Sequence, residues 1–253
     1  MKASIISNST VRRILVVLFW IAVWQCAYML VNKEILIVSP FQVVFRCSEL
    51  VQELNFWQSV VGTLFRILLG FFAALILGVG LAMLTSRFGA VYELVYPALN
   101  LIKATPVASF IILAMVMMRQ NSVPVFCVFL MVLPLVWGNV HEGLKRTDAG
   151  LLEFAELYGF SRGERFRHIY APSVKRFFLA AVQTGVGLAW KAGVAAEIIC
   201  QPKLSIGAKL YGAKIYLETR DVFAWTLVVI LLSMLIEYIF VRLIKGRNKA
   251  EGL

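Results

Sequence analysis

The chain has 253 residues, 60% of them hydrophobic, with a mean hydropathy of +0.82 and a formal net charge of +11. That apolar share is far above what a soluble domain of this length carries, so the sequence predicts an all-α polytopic membrane protein with a single domain spanning 1–253. The basic excess flanks apolar runs instead of gathering in one patch, which is the signature of membrane topology; no nucleic-acid partner is expected.

In chain order, Lys2, Arg12 and Arg13 precede the apolar run Ile14–Trp24 as the basic and apolar regions of a secretory signal would. No small-x-small cleavage site follows, and Gln25 before Cys26 does not suit a lipoprotein signal, so the run is read as a retained first span. A helix needs about 20 apolar residues to cross the hydrocarbon core. Six stretches qualify: Ile14–Val31, Val61–Thr85, Val95–Met118, Val123–Val140, Phe177–Cys200 and Val222–Ile244. Lys2, Arg12, Arg13, Arg87, the cluster from Lys145 to Arg176, Arg242, Lys245, Arg247 and Lys249 fall on one side of this arrangement. Lys33, Arg46, Arg119, Lys203, Lys209, Lys214 and Arg220 fall on the other. By the positive-inside rule both termini and the segment 147–172 are expected in the cytoplasm.

Between the first two spans, Ser39 is placed to cap a helix with Pro40 at its first position. Val43, Cys47, Leu50 and Leu54 then recur at helical spacing while Arg46, Glu49 and Glu53 face elsewhere, which predicts an amphipathic helix on the outer membrane surface. Ile206, Leu210, Ala213 and Leu217, opposed by Lys209, form a second such stripe after the fifth span.

Two spans carry rows of small residues four apart: Gly62, Gly70, Ala74, Gly78 and Ala82 with Arg66, and Ala181, Gly185, Ala189 and Gly193 with Glu197. Such rows let helix backbones approach closely where the hydrophobic effect cannot drive association, so both spans are expected inside the bundle. Pro97, Pro106, Pro124 and Pro134 are expected to interrupt the third and fourth spans, and irregular backbone at membrane depth favours a transport path over a simple anchor. Ionisable residues inside spans point to the path. Arg66 lies about one turn into its span, where snorkelling to the interface and a functional role both stand. Lys103 is deeper. Lys191 lies roughly 21 Å into the fifth span at 1.5 Å per residue, on a face with Thr184 and Gly187. Solute attraction and pairing with a carboxylate such as Glu197 of another helix are both open to it.

Some chemistry has no residues to carry it. No G-x-x-x-x-G-K-[ST] phosphate loop, H-E-x-x-H pair or G-x-S-x-G elbow occurs, so no enzyme activity, ATP site or metal site is expected in this chain. The two histidines, His141 and His168, are assigned to the cytoplasmic loop region. Cys26, Cys47, Cys127 and Cys200 lack ligand or disulfide spacing and are read as small apolar fillers.

One long charged segment lies between the fourth and fifth spans, Leu151–Pro172, with Glu153, Glu156, Arg162, Glu164, Arg165, Arg167 and His168. It must lie in water. Gly159 suits the left-handed position that ends a helix, Ser161 and Glu164 have the capping-box spacing that starts the next, and Pro172 is expected to stop it. The segment is thus a helix-Gly-helix hairpin.

Glu153, Ala155, Gly159, Ile169 and Pro172 resemble the EAA cytoplasmic loop of bacterial ABC importer permeases, E-A-A, three residues, Gly, nine residues, I-x-L-P. Phe154 stands where Ala is usual and Ala171 where Leu is usual. The chain from Ser39-Pro40 onward, with Thr63-Leu64-x-Arg66 and Gly70-Phe71, and Ala189-Trp190-Lys191 and Ala195-Ala196-Glu197, is similar to the nitrate, sulfonate and taurine branch of that family. A Phe-Gly type turn common in the family after the third span is replaced by Met117 to Asn121.

The resemblance implies a type I ABC importer-like permease in the cell membrane that pairs with a second copy, two cytoplasmic ATPase subunits binding ATP and Mg, and an extracytoplasmic solute-binding protein. It implies an ATPase-coupling loop made of Glu153, Ala155, Glu156, Gly159, Ser161, Glu164, Ile169 and Pro172, and a docking face for the binding protein at the segment after the fifth span. Membrane lipid is the remaining partner, and a helix lying on it with no protein partner is the alternative for that segment. Lys103, Thr184 and Lys191 are the candidate solute path for a small anionic or zwitterionic solute. An ATP-independent carrier or channel, or a receptor subunit, remains the alternative.

Overall fold

The computed structural model of the chain describes residues 9–250; Lys2 and residues 251–253 lie outside them. The described residues form helices and no strand: α1 (Ser9–Val31), α2 (Pro40–Leu50), α3 (Leu54–Arg87), α4 (Gly89–Ala104), α5 (Val107–Met117), α6 (Val123–Lys145), α7 (Ala149–Leu157), α8 (Arg162–Arg165), a π-helical turn Phe166–Tyr170, α9 (Ala171–Cys200), α10 (Ile206–Ile215) and α11 (Thr219–Ala250). Among the described residues five stretches are long and apolar enough to cross a membrane, and six if α4 and α5 count as one bent span.

The third span is interrupted at one of its two prolines: α4 and α5 meet at 105°. Pro106 supplies no N–H and its ring pushes the preceding residue out of the helical region, so Thr105 is extended at φ −82° and ψ 130°. The other three prolines break nothing. Pro97 and Pro134 sit inside α4 and α6, and Pro124 occupies the first turn of α6, where its missing N–H would have had no partner in any case.

Pro172 does not stop the hairpin's second helix either. It sits in the first turn of α9, and helix continues from Arg162 to Cys200. The π-helical turn just before it accounts for this: the Ala171 N–H bonds to the Phe166 carbonyl, five residues back, and the widened turn takes up a residue whose ring and missing donor would break a regular α-helix.

The chain divides into two compact units. The first comprises residues up to Gln58 together with Lys209–Ile230. There Ser39 caps α2 as expected: its Oγ accepts the Gln42 N–H at 3.2 Å and Gln42 Oε1 accepts the Ser39 N–H at 3.2 Å, closing a capping box with Pro40 following. Val43 and Leu50 are buried, but α2 ends at Leu50, so Leu54 leaves the stripe, opens α3 and is exposed. Arg46 is not simply solvated. It bonds Asp221 (Nη2 to Oδ2, 3.0 Å) and Glu49 (2.9 Å), and Asp221 pushes the guanidinium pKa further up. Glu34 accepts from Gln42 at 3.0 Å and Arg220 at 2.9 Å, and these bonds hold its carboxyl below the usual range. In α10, Ile206 and Ala213 are buried, whereas Leu217 follows the helix with φ +58° and is exposed, so the second stripe is one turn shorter than expected.

The second unit comprises Ser59–Ala208 together with residues from Leu231. Its frame is α6 packed along α9, with α4 and α5 against α6. The two small-residue rows face inward: Gly70, Ala74, Gly78 and Ala82 of α3 and Ala181, Gly185, Ala189, Gly193 and Glu197 of α9 are all buried. At Gly70 a Cβ would lie 2.5 Å from the Val125 carbonyl oxygen and 2.9 Å from Val128 Cβ, so no larger residue fits without moving backbone. Cys127 and Cys200 pack with Ile111, Ala114, Val123 and Ala196 as fillers, while Cys26 is exposed. His141 lies in α6 and not in a loop; it stacks on Trp137 (5.4 Å between centroids) and Tyr92 (5.1 Å), with Nδ1 3.3 Å from Thr85 Oγ1.

Candidate functional site

The hairpin closes through its own backbone. Asp148 caps α7 by accepting the Gly150 N–H at 2.8 Å. At the other end Gly159 takes φ +69°, which lets the Phe160 N–H reach the Ala155 carbonyl at 2.8 Å and the Gly159 N–H reach the Glu156 carbonyl at 3.1 Å. This double closure is a Schellman motif, and it needs the left-handed residue that glycine adopts without strain. Two residues later the second helix begins: Ser161 Oγ accepts the Glu164 N–H at 3.3 Å and Glu164 Oε2 accepts the Ser161 N–H at 2.8 Å. The Arg165 Nε–H donates to the Phe160 carbonyl at 3.1 Å and ties the turn to the second helix.

Ala155 and Ile169 are buried in this hairpin, and Glu153, Glu156, Ser161 and Glu164 are exposed. Beside these polar residues the hairpin presents apolar ones. Leu157 is 85% and Tyr158 69% exposed, and Leu151, Phe154 and Phe166 are also open to solvent. Contiguous apolar exposure on a charged, well-ordered segment marks a surface meant to be covered. α8, the π turn and α9 run on as one helix from Arg162 to Cys200, so no joint separates the hairpin from α9.

At the opposite end of α9 lies a knot of buried charge. Glu197 is fully buried; its Oε1 accepts from Arg66 at 2.8 Å and its Oε2 accepts from Thr63 Oγ1 at 2.7 Å and from the Gly207 N–H at 3.3 Å. Arg66 also donates to the Leu204 carbonyl at 2.9 Å, and Thr63 Oγ1 accepts the Ile206 N–H at 3.0 Å. Arg66 therefore does not snorkel; its side chain is 12% exposed. It joins α3, α9 and the loop between α9 and α10. The sequence held part of the signal, since Arg66 and Glu197 each stand on a row of small residues that packs inward, but the α3 row lies on Val125, Val128 and Val136 of α6, so the rows alone do not pair the two charges.

Of the candidate path residues, Lys103 is in the last turn of α4, beside the bend, with Nζ 5.9 Å from the Trp137 ring centroid. It lines an open groove of about 620 Å³ together with Asn139, Glu142, Phe177 and Leu188. Asn139 is engaged with the Leu135 carbonyl at 2.8 Å and Glu142 with Arg146 at 2.6 Å, which leaves the Lys103 ammonium as the groove's cation. Thr184 and Lys191 are exposed on α9, opposite its buried row. Glu197 is committed to Arg66, so within the chain it is not a partner for Lys191. The sequence reading also missed Glu237 in α11. Its signal is plain in retrospect: it is the one carboxylate in the apolar run Val222–Ile244. Among the described residues no group of three or more His, Cys, Asp or Glu side chains is disposed to hold a metal ion.

Residues 67–249 match the family described as binding-protein-dependent transport system inner membrane component. Over 204 residues the chain is 23% identical to the glycine betaine transport system permease protein OpuAB of Bacillus subtilis, covering 80% of this chain and 71% of that one. It is 22% identical over 220 residues to the taurine transport system permease protein TauC of Escherichia coli, covering 85% and 80%. It is 22% identical over 159 residues to the bicarbonate transport system permease protein CmpB of Synechococcus elongatus, covering 62% and 57%. A crystal structure of an amino acid ABC transporter with histidines superposes with a TM-score of 0.58 at 14% identity, covering 76% of this chain and 94% of that one, which is a likeness of fold.

Proposed function

Because this chain belongs to the family of binding-protein-dependent transport system inner membrane components, and is thus a multi-pass membrane permease of the ABC importer class, we propose that it accepts a small anionic or zwitterionic solute of the nitrate, sulfonate or taurine kind. The solute comes from an extracytoplasmic binding protein, and two copies of the chain are driven by two cytoplasmic ATPase subunits. The permease names of its relatives, for glycine betaine, taurine and bicarbonate, support that range of solutes. Both termini and the hairpin lie in the cytoplasm, and the outer segment around α10 meets the binding protein.

One observation carries the coupling role: a hairpin stiffened at both ends of its turn, with apolar residues uncovered, runs into α9 as one helix. A flexible loop would absorb ATPase motion before it reached the membrane. Here closure of the ATPases on ATP carries the hairpin with them, and α9 follows, shifting the balance between outward- and inward-facing arrangements. Thr184, Lys191 and the Lys103 groove form the walls past which the solute moves.

The hairpin assignment is tested by Leu157→Asp. A charge at this exposed apolar position leaves the fold of the chain alone and opposes burial under a partner. The permease is expected at normal yield in the membrane with the co-purifying ATPase lost. Normal recovery of the ATPase with this variant would refute the docking role.

A further inference from the structure

Two ionisable residues of opposite sign meet on one open flank of α9. Glu237 of α11 has Oε1 2.9 Å from where a Cβ on Gly187 would lie, so the carboxylate reaches this close to α9 only because residue 187 has no side chain. Lys191 is one turn further along the same side of α9. Long side chains on a helix lean toward its N-terminus, so the Lys191 stem leans toward the turn that carries Gly187, without closing an ion pair with the carboxylate there. Thr184 stands three residues before Gly187 on that flank. Lys191, Thr184 and Glu237 are all exposed on the chain, and among the described residues neither Lys191 nor Glu237 is held in an ion pair, in contrast to Arg66 and Glu197 at 2.8 Å. Both charges lie well inside apolar spans, where lipid is an unacceptable neighbour, so the flank faces water, a polar ligand or the second copy.

We propose that Lys191 and Glu237 are the two poles of a binding site for a small zwitterion, Lys191 taking the anionic group and Glu237 the ammonium; this rests on the permease reading above and narrows its solute class. Neither charge has a partner in the other, and a zwitterion supplies one to each. A simple anion would occupy Lys191 and strand Glu237 beside it, and a simple cation would strand Lys191. The site therefore discriminates by the charge left uncompensated, a stronger filter than shape for solutes of a few atoms. Gly187 gives the Glu237 carboxylate its close approach to α9, and the solute lies between that carboxylate and the Lys191 ammonium.

The test uses the purified complex of permease and ATPase in lipid nanodiscs without a binding protein, so that only the membrane site is read. Binding is measured for matched probes that differ in ammonium against hydroxyl: taurine and isethionate, glycine and glycolate, β-alanine and 3-hydroxypropionate. The ammonium member of at least one pair is expected to bind at least about tenfold more tightly. Glu237→Gln should bring that ratio near one by weakening the zwitterion alone, and Lys191→Met should weaken both members. Equal binding within every pair, no binding of any probe, or a Glu237→Gln complex that keeps the wild-type ratio would each overturn the proposal. So would a wild type without discrimination in which each single neutralisation lowers the yield of complex and the double variant restores it, since the pair would then be purely structural. Failure of the wild-type permease to co-purify with the ATPase is a separate result, which overturns the permease reading and this proposal with it.

Discussion

Replacing Arg66 by Met deletes the guanidinium but keeps most of the apolar stem, which isolates the charge of the outer knot. Glu197 is then left fully buried with only Thr63 Oγ1 at 2.7 Å and the Gly207 N–H at 3.3 Å as donors. Removing one member of a buried ion pair costs about 3–5 kcal/mol, mostly from the stranded partner. Loss of the bond to the Leu204 carbonyl adds about 1 kcal/mol. The expected loss is about 4–6 kcal/mol, a large fraction of the stability of an ordinary fold. The double variant Arg66→Met/Glu197→Gln removes the stranded charge and leaves an amide that can still accept from Thr63, so it should be more stable than the single variant. Thermal melting of the purified permease in detergent, read beside its membrane yield, measures both. An Arg66→Met protein that melts with the wild type would mean that Arg66 reaches to the membrane surface after all. A double variant no more stable than the single would mean that Glu197 is not the stranded group.

Gly159→Val forces a β-branched residue to φ +69°, a strain of about 1–3 kcal/mol confined to the hairpin turn; ATPase recovery is expected to fall in pull-downs while the membrane yield of permease holds. Gly70→Ala should destabilise by about 1–3 kcal/mol, since its Cβ would meet the Val125 carbonyl at 2.5 Å, whereas Gly80→Ala, with nothing within 4 Å, should be neutral or slightly stabilising. Equal melting temperatures for these two variants would contradict the close packing of α3. Reporter fusions after Asn55 and Gly212 should report the outside and a fusion after Gly150 the inside; an inside signal at Gly212 would reverse the orientation or remove α9 as a span. For Lys191→Met, solute uptake per assembled complex in proteoliposomes is expected to be lost, and wild-type uptake would take Lys191 out of the path.

What could be read in the sequence was what local chemistry decides. Ser39 and Ser161 cap their helices because each is followed at three residues by a side chain that returns the hydrogen bond, and Gly159 turns because a left-handed residue is needed there. The rows on α3 and α9 face inward because small residues four apart leave a groove that another helix fills. The misreadings came from context. Pro106 and Pro172 look alike in sequence, yet one bends the chain by 105° and the other begins α9, because a π turn upstream accommodates only the second. Leu54 and Leu217 continue their stripes by periodicity but lie beyond the helix ends. Arg66 and Glu197 are 131 residues apart, and no local rule pairs them. Glu237 stands out as the one carboxylate in its apolar run, but nothing local places that carboxylate over Gly187.

The central claim is that this chain moves solute with force delivered by an ATPase through the hairpin Ala149–Tyr170. The most direct measurement is uptake into proteoliposomes that contain the permease, its ATPase and its binding protein, with and without ATP, for the wild type and for Gly159→Val at equal permease content. Uptake should require ATP and the ATPase, and should fall in proportion to the ATPase lost from the variant. Uptake that proceeds at the same rate without ATP, or without the ATPase, would contradict it and identify an ATP-independent carrier.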